Sequence, residues 1–279
     1  MSGRRTRNGI MACLMLLWLA TSASAELVGL WRFDDATNLG KATIGNDLVL
    51  KNEKGTISSV DGIGAGDKAA AVGPGDSFSL THDIDPNGGS NDYVNQYTIL
   101  YDLNTRTNGW RSLLQTSAGP NDNDGDYWIS PSGNLGVGLI GYSSGSVEEN
   151  TWYRIVFSAN IGGDLNPDME GDQSFMATVI DINDDVVFTH FHGSQGLNGR
   201  HSFYSTPNLN IVHFFADNDG EDGEIYVTQL AMFDGFMTQS QAEALGGPGS
   251  VVPEPSSFVL FTSSLLLVGG LFRLRRRSR

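Results

Sequence analysis

Two short stretches carry oxygen ligands at a spacing that suits a hard cation. Asn121-Asp122-Asn123-Asp124-Gly125-Asp126 puts carboxylates at alternate positions, Asp122, Asp124 and Asp126, with a glycine to tighten the turn. Ala216-Asp217-Asn218-Asp219-Gly220-Glu221-Asp222-Gly223-Glu224 repeats the design through Asp217, Asp219 and Glu221. Calcium takes about six to eight oxygens, and such a loop can curl carboxylates and carbonyls around one ion. A structural Ca2+ is therefore the expected cofactor. Neither stretch completes the EF-hand pattern with its terminal bidentate Glu, and Asp, Asn and Gly are also the ordinary stuff of surface turns.

Aromatic residues come next to these loops. Tyr127 and Trp128 directly follow the first acidic stretch, and Trp110 and Tyr142 lie near loops as well. An aromatic ring beside polar groups suits a sugar, so Tyr127 and Trp128 are the expected ligand-binding residues; burial in the core is the alternative for Trp128. Trp31 and Trp152 sit in runs that read as core. His190 and His192 are two apart and project to one face of a strand, either as a metal pair lacking further ligands or as solvent-exposed histidines. Gly141-Tyr142-Ser143-Ser144-Gly145 matches G-x-S-x-G, but a nucleophile elbow needs a strand before it and a helix after it. Here a polar loop leads into a strand, so a glycine- and serine-rich turn is the better reading.

The elements that must position these residues are almost all strands. Leu27–Phe33, Gln96–Leu103, Trp152–Ala159, Phe175–Ile182, Val186–Phe191, Ile211–Phe215 and Ile225–Phe233 are rich in β-branched and aromatic residues. In the second run Tyr97, Ile99, Tyr101 and Leu103 alternate onto one face. Turns punctuate the runs at Pro86-Asn87-Gly88-Gly89, Asn108-Gly109, Pro131-Ser132-Gly133 and Asn198-Gly199, and Asn183-Asp184-Asp185 predicts a hairpin. One helix is expected over Thr238–Leu245, with Thr238 as its cap and Gly246-Gly247-Pro248 as its stop. Many short strands and a single short helix predict an all-β fold, a two-sheet antiparallel jelly-roll sandwich.

The ends of the chain have different compositions. Arg4, Arg5 and Arg7 precede an apolar run from Ile10 to Ala20 and a small-residue site, Ala23-Ser24-Ala25. That is a secretory signal peptide over residues 1–25, cleaved before Glu26. Residues 250–279 hold a linker, the motif Pro253-Glu254-Pro255, an apolar run at about 256–272 and an Arg-rich tail at 273–279. As a helix the apolar run reaches roughly 25 Å, a transmembrane span that snorkelling arginines can complete. The arginines should stay cytoplasmic, which places residues 26–255 outside. Between the ends, residues 26–252 keep nine of the 17 Lys and Arg and 31 of the 32 Asp and Glu, a net charge of -22. This excludes nucleic acid and anionic membrane surfaces as expected partners. The only cysteine, Cys13, leaves with the signal, so neither disulfides nor thiolate chemistry are available.

Pro-Glu-Pro, a short span and a terminal Arg cluster together resemble the PEP-CTERM sorting signal of Gram-negative bacteria; an ordinary tail anchor is the alternative. The resemblance implies an exosortase-type sorting enzyme as partner, a transient membrane stage, and release or attachment at the cell surface or extracellular matrix, often with exopolysaccharide. A second resemblance covers residues 26–249. Gly29-Leu30-Trp31-Arg32-Phe33-Asp34, Asn150-Thr151-Trp152-Tyr153-Arg154-Ile155-Val156-Phe157 and Gly223–Gly235 are similar to strands of LamG-like, concanavalin A-like lectin/glucanase jelly rolls. The glucanases of that fold carry an E-x-D-x-x-E or E-x-D-x-E run; Glu221-Asp222-Gly223-Glu224 lacks that spacing. The expected function is a non-catalytic, exported binding module for extracellular polysaccharide. The alternatives are a structural or adhesive matrix protein that binds surface proteins and, last, a glycoside hydrolase or lyase.

Overall fold

A computed structural model describes residues 25–116, 126–165, 173–193, 195–215, 223–250 and Val252. Eighteen strands follow one another: β1 (Glu26–Trp31), β2 (Ala42–Ile44), β3 (Val49–Lys51), β4 (Ser58–Asp61), β5 (Lys68–Val72), β6 (Ser77–Thr81), β7 (Tyr93–Val94), β8 (Gln96–Thr105) and β9 (Arg111–Gln115) form the first half. The second half comprises β10 (Asp126–Ile129), β11 (Asn134–Val137), β12 (Gly141–Ser146), β13 (Trp152–Asn160), β14 (Phe175–Ile180), β15 (Val186–His192), β16 (Phe203–Tyr204), β17 (Ile211–Phe214) and β18 (Ile225–Asp234). One α-helix, α1 (Gln239–Glu243), follows. It begins where the sequence places it: Thr238 and Gln241 form a reciprocal capping box, the Gln241 amide donating to the Thr238 hydroxyl and the Thr238 amide to the Gln241 side chain.

The strands make a β-sandwich of antiparallel sheets. A nine-stranded sheet runs β15-β14-β13-β8-β18-β1-β2, with β5 also on β18 and β4 on β5. A seven-stranded sheet runs β12-β11-β10-β9-β17-β6-β3. β16 and β7 form a separate pair. Alternation sends Tyr97, Ile99, Tyr101 and Leu103 of β8 into the core, as expected, beside Ile155 and Phe157 of β13. They meet Phe78, Leu80, Val212, Phe214, Tyr127 and Ile129 from the seven-stranded sheet. Trp31 is fully buried there, whereas Trp152, expected in the core, is half-buried and absent from it. Asp184 takes φ 66° in the predicted hairpin between β14 and β15.

The nine-stranded sheet is buried on its other face too. Leu30, Leu100, Val156, Met176, Ala231 and Phe233 lie under Met237, Ala242, Leu245 and Val252. A fully buried ion pair pins this cover. Arg154 donates through Nε and one Nη to the two oxygens of Asp102, at 2.7 and 2.8 Å. Its guanidinium also donates to the carbonyls of Leu245 and Ser250, and Asp102 accepts from the Gly249 amide at 2.9 Å. Asp184 accepts from the Gly247 amide at 2.6 Å. Residues 246–250 therefore belong to the domain instead of forming a free linker. The signal peptide, Pro253, Glu254, Pro255 and the C-terminal run lie outside the described residues. Among the described residues no helix is long and apolar enough to cross a membrane.

Candidate functional site

Among the described residues the two outer faces differ: the C-terminal segment covers that of the nine-stranded sheet, and it leaves that of the seven-stranded sheet clear. On the clear face β10 alternates Tyr127 inward, Trp128 outward and Ile129 inward. Across the ladders Trp128 pairs with Ser112 of β9 on one side and Gly136 of β11 on the other. Gly136 in turn pairs with Tyr142 of β12. A Cβ built on Gly136 would fall 2.2 Å from the Tyr142 ring. Glycine is thus what lets that ring lie across the strand toward Trp128.

Trp110, in the turn before β9, completes an aromatic pad. Its ring meets Trp128 edge-on at 6.3 Å and 88°, and Tyr142 at 5.6 Å and 65°. Such tilted contacts are worth about 0.5–1.5 kcal/mol each beyond area burial and hold the rings in place. Trp110 stays 37% exposed, Trp128 7%. Polar groups accompany the pad. The Ser112 hydroxyl, beside Trp128, is buried without a hydrogen-bond partner in the protein. Arg111, the neighbour of Ser112 on β9, pairs with the inward Ile129 and so points to the opposite face; it is buried with Nε and one Nη unpartnered, that Nη lying 3.9 Å from Glu149. Burial pushes the Arg111 guanidinium below its ordinary value, and Glu149 opposes the shift.

Of the two residues expected to hold a ligand, Trp128 faces outward against Trp110 but is itself buried, which is the alternative the sequence left open for it. Tyr127 is corrected: it is 1% exposed, stacked at 4.0 Å on Phe157 in the interior, where no ligand reaches its ring. The reason is the strand period, which sends neighbours to opposite faces. Asp122, Asp124, Asp217, Asp219 and Glu221 lie outside the described residues, and Asp126 is described in its backbone alone. What surrounds them is informative. Asp126 pairs with Gln115 at the end of β9. Phe215 and Gly223, which bracket the second stretch, donate their amides to Leu113 and Trp110. The flanks of both acidic stretches therefore converge on β9 and the pad. Among the described residues, no group of three or more His, Cys, Asp or Glu could hold a metal.

The other sequence candidates resolve simply. Ser143 of the G-x-S-x-G match lies in β12, donates to the Gly145 carbonyl and accepts the Leu135 amide. Its hydroxyl is occupied, and no elbow exists. His190 and His192 do sit together, rings 4.3 Å apart, but not in solvent: His192 is 1% exposed and its Nε2 has no partner. Burial drives the His192 pKa down to about 3. Sequence reasoning missed the link between Trp110, Trp128 and Tyr142; the signal available was a tryptophan just before β9 and a tryptophan and a tyrosine on strands that a β9–β12 meander would align.

No family model and no curated protein matches the sequence. Solved structures resemble the fold. Domain 4 of AbnA, a GH43 extracellular arabinanase from Geobacillus stearothermophilus, in complex with arabinotriose, is 20% identical over 80% of this chain and 98% of its own, TM-score 0.49. The binding domain of botulinum neurotoxin DC in complex with rat synaptotagmin II is 10% identical over 79% of this chain and 51% of its own, TM-score 0.49. A Trypanosoma rangeli sialidase in complex with 2,3-difluorosialic acid is 12% identical over 78% and 32%, TM-score 0.48. Likenesses this remote assign no function.

Proposed function

We propose that the domain is a non-catalytic, carbohydrate-binding jelly-roll module, and that its ligand rests on the Trp110–Trp128–Tyr142 pad. The observation that carries this reading is an exposed indole, Trp110, propped edge-on by two further rings on the outer sheet face that the described C-terminal residues leave clear. A pyranose offers a flat face of C–H groups and a rim of hydroxyls. The indole suits the first, and the unpartnered Ser112 hydroxyl suits the second. The test is a glycan array followed by titration of tryptophan fluorescence. Binding should weaken by roughly tenfold or more in Trp110→Ala, about 1.4 kcal/mol, with the fold intact. No glycan bound, with and without millimolar calcium, would remove the reading.

Export and sorting complete the proposal: a signal peptide takes the chain out, an exosortase-type enzyme acts at Pro253-Glu254-Pro255, and the domain remains at the surface or in a polysaccharide matrix. Cell fractionation should find it in the membrane when the sorting enzyme is deleted. A second reading, adhesion to surface proteins, is favoured by the apolar edge strand β15, where Val186 and Val187 are 42% and 45% exposed beside Ile182 at 52%. It predicts association that free sugar does not compete. An enzyme would instead show turnover lost in Glu221→Gln or Glu224→Gln.

A further inference from the structure

A fork in the nine-stranded sheet makes a second site on the side away from the aromatic pad. One edge of β18 is shared by two strands: β5 pairs with Ile225, Tyr226 and Val227, and β1 pairs from Leu230 to Asp234. Thr228 and Gln229 fall between them and have no ladder partner on that edge. Against β8, on the other edge, the register shifts between Val227 and Gln229, so Thr228 is the extra residue of a bulge. The strand ends that part here leave a cavity of about 190 Å³. Arg32 and Asp34 line it from the end of β1, Asp67 and Lys68 from the start of β5, and Thr228 and Gln229 from β18. Asp102 forms its floor.

The charges in this cavity are not equivalent. Asp102 is spent: Arg154, the Gly249 amide and Gln229 occupy its oxygens. Lys68 bonds Asp61 at 2.9 Å, and Asp67 accepts the Gly64 amide. Arg32 differs. No carboxylate of the described residues lies within salt-bridge distance of it, and its Nε is buried without a hydrogen-bond partner. A buried donor left unpaired costs about 1–3 kcal/mol, more when charged, and proteins rarely keep one without use. In a domain whose net charge is -22, an unpaired guanidinium in a polar cavity is a site for an acceptor brought from outside. A guanidinium binds carboxylates through its planar fork. Around it, Asp34, Thr228 and Gln229 offer the acceptors and donors that hydroxyl groups use.

We infer that this cavity binds a sugar acid, a uronate whose carboxylate docks on Arg32 and whose hydroxyls meet Asp34, Thr228 and Gln229. The site shares no residue with the aromatic pad, so the two assignments stand or fall separately. The experiment is isothermal titration calorimetry of the purified full chain with D-galacturonate, D-galactose and acetate. Galacturonate should give a saturable isotherm. Galactose, which lacks the carboxylate, and acetate, which lacks the hydroxyls, should each bind at least roughly tenfold more weakly. Arg32→Gln should abolish the galacturonate isotherm, Arg32→Lys should weaken it, and Trp110→Ala should leave it unchanged. Circular dichroism confirms that each variant is folded. Absence of galacturonate binding, equal binding of galactose or acetate, or full binding by folded Arg32→Gln would overturn the assignment.

Discussion

Arg154 and Arg111 are both buried arginines on strands of the same sandwich, and they live in opposite conditions. Arg154, 0% exposed, spends its guanidinium on Asp102 and on the carbonyls of the C-terminal segment. Arg111, 2% exposed, has one loose charge partner at 3.9 Å and two nitrogens without hydrogen bonds. The fold completes the first and leaves the second open. Ser112 and the Nε2 of His192 fall on Arg111's side of that divide. Ser112 sits on β9 beside the aromatic pad, Arg111 next to it points to the opposite face with Ile129, and the completed pair sits beneath the covered sheet. The chain completes its buried polarity at the Arg154–Asp102 pair and leaves it open at scattered points elsewhere, Asn104 and the Tyr127 hydroxyl among them.

Acid should expose the open class first and most strongly. Burial depresses the pKa of His82 to about 4 and those of His192 and His201 to about 3, so all three are neutral in the folded state well below their ordinary value. His192 donates Nδ1–H to the Gly141 carbonyl, which leaves Nε2 as the buried site a proton would have to take. The unfolded chain takes up protons below about pH 6.5 and the folded chain does not, so stability is full above that pH and falls as pH drops toward 4 and 3. The loss is about 1.4 kcal/mol per pH unit per histidine, on the order of 5–10 kcal/mol by pH 4. Urea denaturation between pH 7 and 4 measures it; a flat profile would show that the three rings are more accessible than described.

Next in size is the completed pair. Arg154→Ala leaves Asp102 buried without its counter-ion and should cost about 3–5 kcal/mol. Replacing both partners by apolar residues should recover most of that loss, since two well-packed apolar side chains need no counter-ion. Arg111 gives the contrast. Arg111→Met removes a desolvated cation with little to lose, and its stability should change by less than about 1 kcal/mol or rise. Equal losses at the two positions would erase the distinction. Between these two in size lies Gly136→Ala, whose Cβ would meet both the Tyr142 ring and the Gly141 carbonyl; it should displace that ring at a cost of about 1–3 kcal/mol while weakening glycan binding as much as Trp110→Ala does.

The strands were legible because their apolar residues alternate, and α1 because Thr238 and Gln241 stand at capping-box spacing. Alternation also made β8 look half-exposed. Thr98 and Asp102 are polar, yet both are buried and bonded to the C-terminal segment, Thr98 to Gly235 and Met237 and Asp102 to Gly249. Nothing local announces that cover, because Asp102 meets a partner 52 residues away and Gly249 a further distance along the chain. The same limit applied at Tyr127 and Trp128. Period two says that they face opposite ways, but which one looks inward depends on the opposing sheet, here on the Phe157 ring. Arg32 and Arg111 were invisible for a related reason: an unpaired charge is defined by partners that a sequence does not display.

The pairing of β1 with β18 sets an order of events. The first strand of the domain, Glu26–Trp31, meets β2 close by, through Leu30 and Trp31, but finds its other neighbour only at Leu230–Asp234, near the other end of the domain. A chain made from its N-terminus onward must leave the β18-facing edge of β1 unpaired until nearly all of the domain has been synthesised. Contacts this distant in sequence slow folding, because a long loop must close before any pairing rewards it. A truncated chain ending before Ile225 would have no centre for its larger sheet, and release of the nascent chain, rather than formation of any early hairpin, becomes the moment at which the native topology can first be tested.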